Sequence, residues 1–397
     1  MQLDLQRLLT GVATESFDDG IRIDTELEPL AGPGGSVKPA VYEGGKYQED
    51  RRWASPDDTE PTPVIVVDNV PSQANRLEAA LRRHREASAP VPELVLDLSE
   101  LGNLPAHLPR RLSSLEFPHR NADAYLRDST LDGVDFIKTD LGQAVFGATA
   151  QTCGPLMAWF PQALLYGFWQ SHLGKKRQNT KHARAWVSEI VGWQPAATET
   201  RTFGLKGDAL NLNTDEQISS NADDRLQWGI GGEKVEGGSK DRLSETGHGQ
   251  VPFMAADAPA AAVSFTRVTQ RATVSLAQLR RVSLGPGYSD AADASVRALL
   301  VALGLHAHFL AFGRGFALRS GAELRPKTTT VEWLGAESDE VLDLGGARST
   351  EALLSEALEH ARSAGVPLDG WSASPVTLTP KENLRKAIRS TWPDLDG

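Results

Sequence analysis

Apolar and polar residues alternate along IRIDTELE, residues 21–28, as on a strand with one buried face. PVIVVD, residues 63–68, is almost continuously apolar, the pattern of a strand buried on both faces. SQANRLEAALRRHREA follows as a helix, with Ser72 as its expected N-cap and Leu77, Ala80 and Leu81 on its buried face. ELVLDLSEL alternates again and is broken by the proline-rich NLPAHLPRR. Leu156, Phe160, Leu164, Leu165 and Phe168 predict a long helix or helix pair over about Pro155 to His172, where core packing accounts for the aromatic rings. ARAWVSEIVGW, AAVSFTRVTQRATVSL and TTTVEWL read as strands, and ASVRALLVALGLHAHFLAF and TEALLSEALEHARSAG as helices.

Two stretches break the pattern. Residues 41–63 keep no period and are rich in turn formers, so they read as a finger-like insertion, taken here as 36–62. From about Thr200 to Ala256 the composition shifts to Gly, Asn, Asp and Ser, which predicts a linker or a flexible protrusion over 200–256. Strands and helices alternate loosely between these excursions, as in an α+β chain, and no clean linker separates two domains across residues 1–397.

The 397 residues suffice for a sizeable core, and 40% hydrophobic with 23% charged residues is a globular balance. No apolar run approaches the roughly 18 residues that span a bilayer, and MQLDLQRLLTGV lacks the form of a leader, so no membrane association is expected. The single cysteine, Cys153, excludes an internal disulfide and a cysteine-rich zinc site; a reducing cytoplasm is the expected compartment. Net charge is -11, but its distribution is uneven. Leu141 to Ser188 holds no acid and five cations, Lys175, Lys176, Arg177, Lys181 and Arg184. Ala258 to Ser289 holds no acid and four, Arg267, Arg271, Arg280 and Arg281, so these windows carry +9 and the remainder -20. A ligand feels the local field, so an acidic total does not exclude a polyanion.

Several enzyme signatures are absent. There is no G-x-x-x-x-G-K-[ST] loop, no H-E-x-x-H and no G-x-S-x-G elbow, and GIGGEKVEGG lacks the third glycine of a dinucleotide fingerprint. His306 and His308 form an H-x-H pair inside an apolar helix, where core histidines are the simpler reading than metal ligands. Asp123 and Asp128 with His119 could form an acid cluster, which leaves a metal-dependent ribonuclease as the rival function. A scaffold that meets only proteins is a third reading.

Other features suit nucleic acid. SQANRLE opens a helix where unpaired amides favour a phosphate, and Gln73, Asn75 and Arg76 add donors. YEGGKYQEDRRW interleaves Tyr42, Tyr47 and Trp53 with Lys46, Arg51 and Arg52, the combination that grips single strands. FGRGFALRSG matches part of a ribonucleoprotein motif through Arg314, Gly315, Phe316 and Ala317, and departs at Leu318.

In order, YEGGKYQEDRRW, DNVPSQANRLEAAL, PHRNADAYLRDS, ALLYGFWQSH, ARAWVSEIVGW, LSETGHGQVPF and AFGRGFALRSGAELRP resemble the CRISPR-associated RAMP proteins that form the backbone, or Cas-seven-type, subunit of type I-U (I-G) effector complexes. The resemblance covers about Tyr42 to Pro326. It implies a single RAMP-type domain whose modified RNA-recognition-motif, ferredoxin-like palm carries finger-like and thumb-like insertions, with 200–256 as the thumb. It also implies a non-catalytic, cytoplasmic subunit without metal or cofactor. Its partners would be CRISPR RNA, target DNA through guide pairing, further copies of itself and other subunits of the complex. The implied RNA-binding set is Lys46, Arg51, Arg52, Gln73, Asn75, Arg76 and Arg120. On charge, Lys175, Lys176, Arg177, Lys181, Arg184, Arg267, Arg271 and Arg314 join it.

Overall fold

The computed structural model describes residues 2–85, 90–102, 104–173, 180–196, 210, 212–213, 215–224, 226–248, 262–372 and 374–392. It is a mixed helix and sheet structure, as expected of an α+β chain. The chain divides into two units, one of residues 1–39, 49–195 and 264–397, the other of residues 40–48 and 196–263.

In the larger unit an eight-stranded antiparallel sheet runs in the order Phe316–Ala317, Glu323–Leu334, Gly20–Pro29, Phe265–Ser275, Trp186–Pro195, Thr62–Asp68, Glu49–Arg52, with Asp339–Leu342 also paired to Glu323–Leu334. Alternation sets its two faces. Ile21, Ile23, Trp186, Ala272, Val274, Val331 and Trp333 are buried in the core, while Arg22, Asp24, Glu189, Arg271 and Glu332 alternate with them on the opposite face. That second face is a charge ladder: Arg22 pairs with Glu332 at 2.7 Å, Arg271 with Asp24 at 2.6 Å, and Arg52 with Glu189.

The helix Asp290–Phe312 belongs to the core cluster together with these strand residues, its first turn capped by the Ser289 hydroxyl, which accepts from the Ala292 amide at 3.2 Å. Gly304 lets it approach, because a Cβ there would lie 2.6 Å from the Trp186 ring. By length and mean hydropathy of 1.6 this helix could span a bilayer, contrary to the expectation that no segment would. Its most apolar window is 83% buried within the protein, so its apolarity is used in the core. His306 and His308 are both buried, as their reading as core residues expected.

The Val70–His84 helix begins one residue after the Thr62–Asp68 strand, and its N-cap is Asn69, whose side chain accepts from the Ser72 amide at 3.1 Å. Ser72 is not the cap because its own hydroxyl donates to Asp68 at 2.8 Å. The predicted helical stretch after Pro155 is a pair, Gly154–Trp159 and Pro161–Tyr166, divided at Phe160 because the following proline disfavours helical backbone there. A second sheet, five-stranded, orders Arg111–Ser113, Leu94–Asp97, Val376–Pro380, Ser129–Leu131 and Val134–Asp135. Residues 49–52, expected to be irregular, form an edge strand of the main sheet.

The smaller unit contains an antiparallel sheet in the order Trp228–Ile230, Gln217–Asn221, Gly238–Arg242. Much of the predicted protrusion, including 200–209 and 249–256, lies outside the described residues.

His308 gives the core a pH dependence. Burial among Trp186, Phe309 and Phe312 pulls its pKa from 6.5 down to about 4, so it is neutral when folded. A depressed folded pKa contributes stability that is present above the unfolded value and lost as pH falls towards the folded one. Urea unfolding should show a loss of roughly 2 kcal/mol between pH 7 and pH 5 from this residue, and His308→Phe should flatten the pH dependence over that interval. An equal slope in the variant would contradict the assignment.

Candidate nucleic-acid interface

A cleft of about 990 Å³ opens in the larger unit between the segments around Pro118–Arg127 and Tyr166–Arg184. One wall is a short antiparallel hairpin, in which Phe168, Trp169 and Gln170 pair with His182, Lys181 and Thr180. Strand alternation turns Phe168, Gln170 and His182 inward and leaves Trp169 and Lys181 directly opposite one another on the exposed face. Trp169 is 65% exposed, unusual for the largest apolar side chain unless something covers it. An aromatic face beside a cation is the pair that stacks a base and holds its phosphate.

The floor depends on Arg120. Its backbone is left-handed, at φ 54°, which turns the side chain into the protein. There the guanidinium donates to both carboxylate oxygens of Glu78, at 2.7 and 2.9 Å, and to the Gly167 carbonyl at 3.1 Å, and lies 5.5 Å from the Tyr166 ring. Burial pushes the Glu78 carboxyl above its usual range against the opposing pull of Arg120, and raises the Tyr166 phenol. Gly167, at φ 79°, ends the helix pair, and a Cβ there would lie 2.9 Å from the His182 carbonyl oxygen. Helix, turn and hairpin therefore meet at one point.

The remaining charge faces the cleft. Arg127 donates to the His172 carbonyl at 3.0 Å, and Lys181 and Arg184 are exposed. Among the described residues neither Lys181 nor Arg184 has an ion-pair partner, and no carboxylate lines the cleft. Desolvation, and then the charge of Arg120, lower the pKa of Arg184. A cation held beside another without a counter-charge gains from an arriving anion.

The sequence-derived residues thus divide. Arg120, Lys181 and Arg184 come together at the cleft, although Arg120 is buried and neutralised by Glu78, so it shapes the site rather than offering a free charge. Lys175, Lys176 and Arg177 fall in the sequence between the hairpin strands and lie outside the described residues. Gln73 does not reach the surface. It is fully buried, donates to Asp68, and accepts from Ser188 at 2.8 Å and Gln270 at 2.7 Å, so no part of it is left for RNA. The expected phosphate site at its helix start is also closed, because Pro71 has no amide hydrogen and the Ser72 and Gln73 amides bond to Asn69. Asn75 is exposed, and Arg76 is partly buried against Asp68, 2.9 Å away.

The other cations are dispersed. Arg51 donates to the Pro61 carbonyl on the sheet edge, and Arg52 is held by Glu189 and Asp50. Arg271 belongs to the charge ladder, and Arg267 lies 4.5 Å over the Trp193 ring. Lys46 is exposed in the smaller unit, so YEGGKYQEDRRW is divided between the two units. Arg314 is exposed after the long helix, but Phe316 of the same motif is on an edge strand and packs 5.0 Å from Phe312, which uses the ring in the core. Asp123 is buried and caps the Ala124–Arg127 turn, accepting from the His119 and Tyr125 amides at 2.9 Å. Among the described residues no group of His, Cys, Asp and Glu is placed to hold a metal ion.

Trp169 and the Glu78 anchor escaped the sequence reading. A tryptophan a few residues before an acid-free basic run, in an otherwise alternating segment, was the available signal for the first. For Glu78 there was none, since its partner is 42 residues away.

An acid-free cleft with an exposed ring and unpaired cations has the chemistry of a polyanion binder. Residues 21–196, which contain every residue of the cleft, match the family model described as CRISPR-associated protein GSU0053. That family is CRISPR-associated, and the match supports a role in CRISPR defence. No curated protein matches it.

Removing Glu78 would leave a buried guanidinium unpaired. Glu78→Ala should lower unfolding free energy by about 3–5 kcal/mol in denaturant titrations. Lys181→Ala, at an exposed and unpaired position, should change it little; equal losses would show that the anchor is not what holds the cleft.

Proposed function

We propose that this chain is a non-catalytic, cytoplasmic guide-RNA-binding backbone subunit of a CRISPR effector complex of type I-U (I-G). Several copies line one CRISPR RNA beside the other subunits and present it for pairing with target DNA, so that base pairing reads sequence and protein holds the backbone. The observation that carries the reading is the Trp169–Lys181–Arg184 cleft within the family-matched segment. It has the stacking surface and the uncompensated charge that a single strand requires.

Strand order supports a ferredoxin-like palm. Taken in chain order, Gly20–Pro29, Trp186–Pro195, Phe265–Ser275 and Glu323–Leu334 lie in the sheet as fourth, first, third, second, all neighbours antiparallel. In chain order helix Val70–His84 lies between the first and second of these, directly after the added Thr62–Asp68 strand, and Asp290–Phe312 lies between the third and fourth; the two helices pack on each other. This is the order of a split βαβ fold, extended here at one edge by Thr62–Asp68 and Glu49–Arg52. The smaller unit supports the thumb reading, since its described residues include a three-stranded sheet of their own.

Coexpression with a CRISPR array and its processing subunit should yield protein carrying RNA of discrete length. Lys181→Ala with Arg184→Ala should weaken retention and reduce the slope of log K against log salt by about one for each phosphate that is no longer neutralised. Trp169→Ala should cost about 1–3 kcal/mol with the salt slope unchanged. Wild-type protein that elutes free of RNA, or variants that retain it like wild type, would overturn the reading.

A further inference from the structure

The larger unit has a second concavity, of about 640 Å³, with the opposite character. Trp159, Tyr288, Pro155 and Pro367 supply an apolar, aromatic lining, and Asp140 and Asp369 are the charged residues that line it. Among the described residues no cation does. Both carboxylates are exposed, and Tyr288 is 45% exposed. The groove is built on the first helix of the pair, Gly154–Trp159, whereas the RNA cleft begins at Tyr166, where the second helix ends. An occupant of the groove therefore leaves the cleft free.

Aromatic grooves with acidic rims take extended segments in which proline packs on the rings and arginine meets the acids. This chain displays such a segment. Pro109 and Arg110 are exposed on the turn that enters the Arg111–Ser113 edge strand, and the backbone there is fixed by the Leu98 amide donating to the Arg110 carbonyl at 2.8 Å. Leu108 before it packs against the core, so the turn is anchored before it meets a partner.

We propose that the groove receives the Pro109–Arg110–Arg111 turn of a second copy of this chain. The contact is heterologous: one copy presents the turn and the next presents the groove, so it repeats along a row. It rests on the reading that several copies share one guide RNA, and it names the surface that joins them. Opposite charge sets the direction in which copies add.

The test uses the full chain coexpressed with its guide RNA, with copies per RNA measured by native mass and self-association by sedimentation. Asp140→Arg with Asp369→Arg should weaken self-association by about tenfold or more, as should Arg110→Glu, with RNA bound per copy unchanged. The chain carrying all three changes should associate again, because the charges are then exchanged. Self-association that ignores either reversal, or fails to return in the combined variant, overturns the proposal. So does a groove reversal that releases a different subunit while copies still join. Swap-sensitive association without bound RNA would support this interface and contradict the guide-binding reading alone.

Discussion

The cleft depends on a buried ion pair. Arg120 and Glu78 come from a left-handed turn and from the middle of the Val70–His84 helix, and neither would be stable in the interior without the other. The same guanidinium reaches the Gly167 carbonyl, which fixes the junction between the helix pair and the hairpin. One cation is thereby spent on shape. It also leaves its mark outside, since its proximity adds to burial in disfavouring the charge of Arg184.

Charge separation within one unit follows from this arrangement. The hairpin places Trp169 and Lys181 on one exposed face, with no carboxylate among the described residues of the cleft, while the groove at the other end of the helix pair is lined by two carboxylates. The open face of the main sheet differs from both, because Arg22, Arg52 and Arg271 on it are matched by acids along the ladder. A matched ladder contributes to register and solubility. Unmatched charge is what is left to attract a ligand.

The alternation of IRIDTELE and of AAVSFTRVTQRATVSL made the central strands legible, because one face of each is buried. The acid-free window from Leu141 to Ser188 pointed to the cleft for a similar reason: local charge survives into the surface where no acid is near in sequence. What stayed hidden was pairing across distance. Gln73 looked like a surface donor until Asp68, Ser188 and Gln270 were brought around it by the sheet, and Arg120 looked free until Glu78 met it. Ser72 looked like a cap until Asp68 took its hydroxyl. Asn75 and Arg76, adjacent in sequence, ended as an exposed amide and a guanidinium held by a buried acid.

The decisive experiment is ultraviolet crosslinking of the RNA-loaded protein, with the modified peptides identified by mass. Crosslinks are expected within residues 168–184, with Trp169 among the modified positions. Crosslinks confined to the open sheet face around Arg267 and Arg271, with none at the hairpin, would contradict that expectation.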